Sequence, residues 1–196
     1  MGHLPPADGI VNTRAVAPRF AWALTGSGHY LTECLELVRE LRDVDLFLSR
    51  AAAEVLHMYG HDPKALVPEG RVFRDTSASA APVGLFYKGH YHTLVVAPAT
   101  SNTVAKCVWG ISDTLVTNVY AQAGKCRVES IVFACDTEPE LESEAPGGTV
   151  MVYPRRVDLE NVEKLRGFEA TRVVSDLGGL RAALEARRQC LNISSS

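Results

Sequence analysis

Four hydrogen-bonding side chains follow an apolar run near the middle of the chain. Residues 93–97 are mostly apolar, and directly after Pro98-Ala99 come Thr100, Ser101, Asn102 and Thr103. A buried strand that leads into a helix needs one capping side chain, so donors and acceptors remain to spare. The surplus fits a generously capped helix or a ligand held at the end of the strand. Lys106, one helical turn further on, could meet an anionic group or lie in solvent.

A glycine-containing turn follows the first apolar run, residues 20–24. It reads Gly26-Ser27-Gly28-His29 and precedes a segment with helical spacing. Glycines between a strand and a helix let the backbone bring its N–H groups close to a phosphate, although a tight turn without ligand has the same sequence. Leu31 stands where the dinucleotide fingerprint has its third glycine, which weakens an NAD interpretation.

The second apolar run, residues 44–48, ends in Ser49 rather than in the Asp or Glu that would bind an adenosine ribose. Ser49 could cap the next helix or donate to the same phosphate. A turn suited to a phosphate, with no acidic residue to bind an adenosine ribose, favours a mononucleotide-like ligand.

Two further features carry chemistry. Cys135-Asp136 follow the run 129–134; Asp136 could accept from a heterocyclic N–H or be a simple loop carboxylate, and Cys135 could be packed or reactive. Residues 87–92, YKGHYH, could form a stacking wall, but a turn with exposed rings is the favoured interpretation. We find no Ser/His/Asp arrangement and no metal-ligand cluster in the sequence.

Short apolar runs alternate with amphipathic segments along the chain. Strands are predicted at residues 20–24, 44–48, 71–73, 93–97, 129–134, 150–153 and 172–174, and the acidic stretch 138–148 is predicted to be a mobile, solvated loop. The alternation predicts an α/β fold: a Rossmann-like, doubly wound parallel sheet with helices on both faces, in a flavodoxin-like three-layer arrangement. Ligands of such sheets bind at the carboxyl ends of the strands.

Composition limits the function classes. The 196 residues are 46% hydrophobic and 22% charged, which predicts one globular domain over residues 20–196. A net charge of −3 argues against a nucleic-acid surface, and no apolar run approaches the roughly 18 residues of a membrane helix. The five scattered cysteines form no CxxC, which argues against a metal site or a disulfide framework. Residues 1–19 hold no signal-peptide core, so we expect a flexible leader on a cytoplasmic protein.

The segments ALTGSGH, LSRAAAEV and APATSNTVAK with GISDTLVTN resemble the superfamily of homo-oligomeric flavin-containing cysteine decarboxylases. Within it, residues 89–106 are most similar to acceptor-type dihydromethanopterin reductases. The resemblance implies bound FMN and a homo-oligomer, a trimer or a larger cage-like assembly. It implies cofactor contacts at the phosphate turn and Ser49, at the polar motif 100–103, and near the strand end that follows residue 134. The expected cofactor-binding set is therefore Gly26, Ser27, Gly28, His29, Ser49, Thr100, Ser101, Asn102, Thr103, Lys106, Cys135 and Asp136.

Departures from the superfamily pattern bear on the activity. Gly84 stands where the cysteine decarboxylases have a catalytic histidine, and residues 135–138 replace their substrate-binding PxMNxxMW motif. The flavin prenyltransferases have an arginine near Cys135 that is missing here. We therefore expect an FMN-dependent oxidoreductase of one-carbon metabolism that reduces dihydromethanopterin to tetrahydromethanopterin with electrons from an external donor. Asp136 or water would supply the proton. A flavin carrier or storage protein, and a decarboxylase, are the alternatives.

Overall fold

The computed structural model describes residues 18–77, 80–145 and 148–191. Its strands are β1 Arg19–Leu24, β2 Val44–Leu48, β3 Val72–Arg74, β4 Tyr91–Ala99, β5 Glu129–Ala134, β6 Leu141–Ala145, β7 Gly148–Val152 and β8 Thr171–Val174. Its α-helices are α1 Leu31–Glu40, α2 Arg50–Met58, α3 Pro63–Leu66, α4 Gly84–Tyr87, α5 Ser101–Val108, α6 Leu115–Lys125, α7 Arg156–Arg166 and α8 Leu177–Cys190, and a 3₁₀ turn spans Ala81–Val83.

Six of these strands form one parallel sheet in the order β3-β2-β1-β4-β5-β8. The chain builds outward from β1 in one direction through β2 and β3, then returns to place β4 on the other side of β1. This is the strand order of Rossmann folds, and it creates a switch point between β1 and β4. The prediction of a Rossmann-like, doubly wound sheet is confirmed.

Alternating side chains of the strands divide the core between the two faces of the sheet. Trp22 and Leu24 of β1 pack with α1 and α8 on one face. Ala21 and Ala23 of the same strand face the opposite cluster, which includes residues of α5 and α6. Because neighbouring side chains of a strand point to opposite faces, a continuous apolar run is what a strand covered on both faces requires. The indole Nε1 of Trp22 donates to the carbonyl of Ala97, 2.7 Å away.

The acidic stretch differs from its prediction. Instead of an irregular loop, β6 pairs antiparallel with β7 and forms a separate two-stranded sheet, in which Leu141 faces Val152 and Glu142 faces Met151. The glutamates alternate with less polar residues, a period-2 pattern that suits a hairpin with one solvated face. The predicted strand at 150–153 is therefore part of this hairpin and not of the main sheet.

The predicted leader, residues 1–19, lies outside the described residues except for Pro18 and Arg19, and Arg19 begins β1. Among the residues that the structure describes, no helix is long and apolar enough to cross a membrane.

Candidate functional site

The carboxyl ends of β1, β2 and β4 surround a cleft of about 460 Å³ at the switch point. Six of the predicted cofactor-binding residues line it: Gly26, Ser49, Thr100, Asn102, Thr103 and Lys106. The strand order brings these residues, which are up to 80 positions apart in the chain, to one edge of the sheet.

The floor of the cleft is a hydrogen-bonded link between two strand ends. The buried hydroxyl of Thr25 donates to the carbonyl of Pro98, 2.7 Å away, and accepts from the backbone N–H of Thr100 at 3.0 Å. This one side chain therefore ties the end of β1 to the start of α5, which keeps the two walls at a fixed separation.

The polar motif after β4 divides between two roles. Thr100 caps α5: its hydroxyl accepts from the N–H of Thr103 at 3.3 Å and shares a hydrogen bond of 3.1 Å with the Thr103 hydroxyl. Ser101 instead donates to the carboxylate of Asp136, and Asn102 is exposed at the cleft. The capping interpretation describes Thr100 and Thr103, while Asn102 lines the cleft and Ser101 contacts Asp136 beside it.

The turn after β1 and the start of α2 form a cradle suited to an anion. Ser49 accepts from the N–H of Ala52 at 3.0 Å, which leaves its own hydroxyl hydrogen available to a ligand. A Cβ on Gly26 would lie 2.5 Å from the Cβ of Ala51, so only glycine lets the turn pass this close to the helix. α1 begins at Leu31, and the preceding residue Tyr30 makes no side-chain hydrogen bond to the first N–H groups of the helix. Backbone N–H groups at helix N-termini bind phosphate, and this donor set fits one.

Charged side chains of both signs line the cleft. Lys106 was expected to meet an anionic group or to lie in solvent, and here its ammonium contacts both carboxylate oxygens of Asp113, at 2.9 and 2.8 Å. The Lys106 ammonium holds the pKa of Asp113 below its usual value. Arg50 donates from Nε to the backbone carbonyl of Asp75 at 3.2 Å.

A second group of predicted residues lies beside the cleft, at the end of β5. The buried thiol of Cys135 donates to the hydroxyl of Ser27 at 3.4 Å, and Ser27 donates to the carbonyl of His29 at 3.3 Å. Burial raises the pKa of the Cys135 thiol to about 12, so the thiol stays protonated and acts as a donor. Gly28 accepts from the N–H of Leu31 at 3.2 Å.

Sequence reasoning missed several residues that line the cleft: Thr25, Arg50, Ala51, Asp75, Asp113, Thr114 and Val116. Arg50 and Ala51 directly follow Ser49, and helix-start geometry is the signal that could have found them. Asp75 lies in a segment predicted to be irregular. Asp113 and Thr114 belong to the GISDTLVTN segment, whose only signal was the family resemblance.

The YKGHYH segment contributes nothing to this edge of the sheet. Its last two residues, Tyr91 and His92, begin β4, at the opposite end of the strand from the cleft. Tyr87 is exposed, but Tyr91 is buried and donates to Asp45 at 2.8 Å. Across residues 18–77, 80–145 and 148–191, no group of three His, Cys, Asp or Glu residues could hold a metal ion.

A glycine turn and a helix start that meet at the switch point of a Rossmann-like sheet are typical of nucleotide-binding α/β proteins. The family model described as Flavoprotein matches residues 9–186, and the chain belongs to the Flavoprotein family. The resemblance inferred from the sequence motifs is confirmed.

Relatives of the chain include a solved structure and two archaeal proteins. The crystal structure of Burkholderia xenovorans DmrB in complex with FMN, described as a cubic protein cage for redox transfer, is 55% identical. The structural match covers 89% of this chain and 97% of the DmrB chain, with a TM-score of 0.83. A Methanosarcina mazei dihydromethanopterin reductase (acceptor) is 41% identical over 65% of this chain, and an uncharacterized Methanocaldococcus jannaschii protein is 39% identical over 80% of this chain and 88% of its own length. The chain spans 59% of the length of the Methanosarcina reductase.

Proposed function

We propose that this chain is an FMN-dependent oxidoreductase that reduces a C=N bond of dihydromethanopterin with electrons from an external donor. The observation that carries the proposal is the phosphate cradle at the switch point, in a chain that is 55% identical to an FMN-binding redox protein across 97% of that protein. The name of the Methanosarcina relative supports the pterin substrate.

The residues of the cleft fit FMN better than a dinucleotide. The cradle offers the turn at Gly26, the hydroxyl of Ser49 and the first N–H groups of α2, which suit one phosphate. β2 ends without a carboxylate for an adenosine ribose. The start of α5, with Asn102 exposed at the cleft, would hold the ring system.

FMN, when bound, supplies the two-electron redox chemistry, and the protein orients the reactants and excludes water. Reduction of a C=N bond takes up a hydride and a proton. We assign that proton to Asp136, which follows β5 and accepts a hydrogen bond from Ser101, next to the cap of α5. Ser101 orients the carboxyl group.

We also propose that the chain assembles with copies of itself, as DmrB does in its cage. Trp109 and Ile111 are exposed large apolar residues, 66% and 48% accessible, and in the chain they lie between Lys106 and Asp113, which line the cleft. A subunit packed on them would shield apolar surface. Light scattering of the purified protein would report a particle of several subunits, and a monomer would refute the assembly.

Spectroscopy and a single-turnover reaction test the enzyme proposal. Purified protein should carry, or be loaded with, FMN and show a flavin spectrum. Chemically reduced, FMN-loaded protein should then be reoxidised when dihydromethanopterin is added without air. A protein that cannot be loaded refutes the proposal, and a loaded protein that stays reduced indicates a flavin carrier. Release of carbon dioxide from a peptidyl cysteine would indicate a decarboxylase.

Proton transfer can be tested separately. Asp136→Asn should slow reoxidation of the loaded protein and change its dependence on pH, because the amide holds no transferable proton. Ser101→Ala should shift the pH profile with a smaller loss of rate. An unchanged pH profile in both variants would assign the proton to water.

A further inference from the structure

The Lys106–Asp113 ion pair occupies the wall of the cleft. Its two N···O distances are 2.9 and 2.8 Å, and the side chains are 22% and 54% exposed. Lys106 projects from α5, one turn after Asn102, and Asp113 comes from the segment that leads into α6. The ammonium of Lys106 is therefore paired with a carboxylate of the same chain.

The charged side chains that line the cleft have no net charge. Two cations, Lys106 and Arg50, face two carboxylates, Asp75 and Asp113. Arg50 is held by the backbone carbonyl of Asp75. The attraction for an anion consequently comes from backbone N–H groups and hydroxyls, which can serve one phosphate, and not from a surplus of side-chain charge.

We propose that Asp113 is a specificity-determining residue: by pairing with Lys106 it holds the cleft at zero net side-chain charge, so that the cleft accepts one phosphate monoester and discriminates against anions of higher charge. The inference rests on the proposed FMN site. A second phosphate group would lie among walls that carry two carboxylates, with Lys106 paired to Asp113 and Arg50 held by the backbone carbonyl of Asp75. Repulsion from the carboxylates is strong in a partly desolvated cleft. Lys106 contributes little to ligand affinity while Asp113 is charged.

The experiment compares ligands that differ in phosphate charge. Titrations that follow flavin fluorescence would give the dissociation constants of FMN and riboflavin, and inorganic pyrophosphate would be added as a competitor of FMN. Asp113→Asn should tighten FMN binding about tenfold, leave riboflavin binding unchanged, and strengthen competition by pyrophosphate by a larger factor. Glu160→Gln is the matched control, since it removes one negative charge from an exposed pair with Arg156 on α7, outside the cleft.

A double-mutant cycle tests whether Asp113 acts through Lys106. Lys106→Met should weaken FMN binding more in the Asp113→Asn background than in the wild type, because the lysine is free to meet the phosphate only when Asp113 is neutral. The Lys106→Met/Asp113→Asn variant also removes both charges together, so its fold does not depend on the ion pair.

Several results would overturn the inference. If the pair merely ties α5 to the following segment, Asp113→Asn weakens FMN and riboflavin equally. An unchanged ratio of FMN to riboflavin affinity, or an equal cost of Lys106→Met in both backgrounds, also refutes it. Failure of the wild-type protein to bind FMN refutes the proposed function instead, so the two failures are distinguishable.

Discussion

Replacing Gly26 with alanine should disrupt the cradle while leaving the sheet intact. Gly26 lies where the turn after β1 passes the first turn of α2, and a Cβ added there would sit 2.5 Å from the Cβ of Ala51 and 3.4 Å from its carbonyl carbon. Two carbons in contact normally stay at least about 3.5 Å apart, so the turn and the helix must separate by about 1 Å.

The size of the effect follows from that displacement. Overpacking of this kind destabilises by about 1–3 kcal/mol, and each kcal/mol lowers the melting temperature by about 2–4 °C in a chain of this length. In the proposed FMN site, the turn's N–H groups and the Ser49 hydroxyl would bind the same phosphate. A shift of about 1 Å therefore lengthens several hydrogen bonds at once, and we expect FMN affinity to fall at least about tenfold.

The assay combines thermal unfolding with FMN and riboflavin titrations. Gly26→Ala should lose affinity for FMN more than for riboflavin, since the phosphate is what the turn holds. The second variant Gly26→Ala/Ala51→Gly removes the opposing methyl group and should recover much of the FMN affinity. Gly124→Ala is the matched control, because an added Cβ in that part of α6 meets no atom within 4 Å.

Two outcomes would refute the reasoning. Gly26→Ala could bind FMN like the wild type, which would mean that the turn does not hold the phosphate. Alternatively, the loss could persist unchanged in the double variant, which would mean that contact with Ala51 is not its cause.

Three further predictions concern the rest of the chain. Cys135→Ala, compared with Cys126→Ser, should weaken FMN binding several-fold with a smaller effect on riboflavin, because the thiol positions Ser27; equal losses for both ligands would contradict this. Burial raises the pKa of Asp45, but hydrogen bonds from Arg71 and Tyr91 hold it below its usual value, so its stabilisation is present above about pH 4 and is lost as the pH falls through the lowered pKa. Asp45→Asn should lower the free energy of unfolding in urea by about 3 kcal/mol at pH 7, and it should reduce the loss of stability at acidic pH. An unchanged loss of stability at acidic pH would be inconsistent with the buried pair. Burial lowers the pKa of His92 to about 4 from 6.5, so stability should decline as the pH drops from about 6.5 to 4, and His92→Gln should remove that decline when unfolding is measured across the range.

Much of the main sheet could be predicted because its strands are buried on both faces. The run 129–134 coincides with β5, and the run 44–48 with β2. β4 is longer than predicted, since it extends from Tyr91 to Ala99. The hydroxyl of Tyr91 is buried against Asp45, and this partner, 46 residues away, is invisible in a local pattern.

The β6–β7 hairpin escaped prediction for a related reason. Its charged residues indicate that the segment is exposed to solvent, but they do not indicate its secondary structure. Irregular loops and hairpins outside the core are both exposed. What distinguishes the two is the pairing of Leu141 with Val152 and of its neighbours, and this depends on backbone hydrogen bonds rather than on composition.

The sequence by itself determined the α/β class, the glycine turn at Gly26, the polar motif at 100–103 and the membership of the Flavoprotein family, because each of these depends on residue types at short spacing. Only the tertiary structure decided what those side chains contact. It showed that Thr100 and Thr103 cap a helix, that Ser101 meets Asp136, that Cys135 supports Ser27, and that Lys106 is paired with Asp113. The physical reason is that strand order brings Cys135 to Ser27, 108 positions away, and Asp136 to Ser101, 35 positions away. The local pair of Lys106 and Asp113 depends on the path of the chain between α5 and α6.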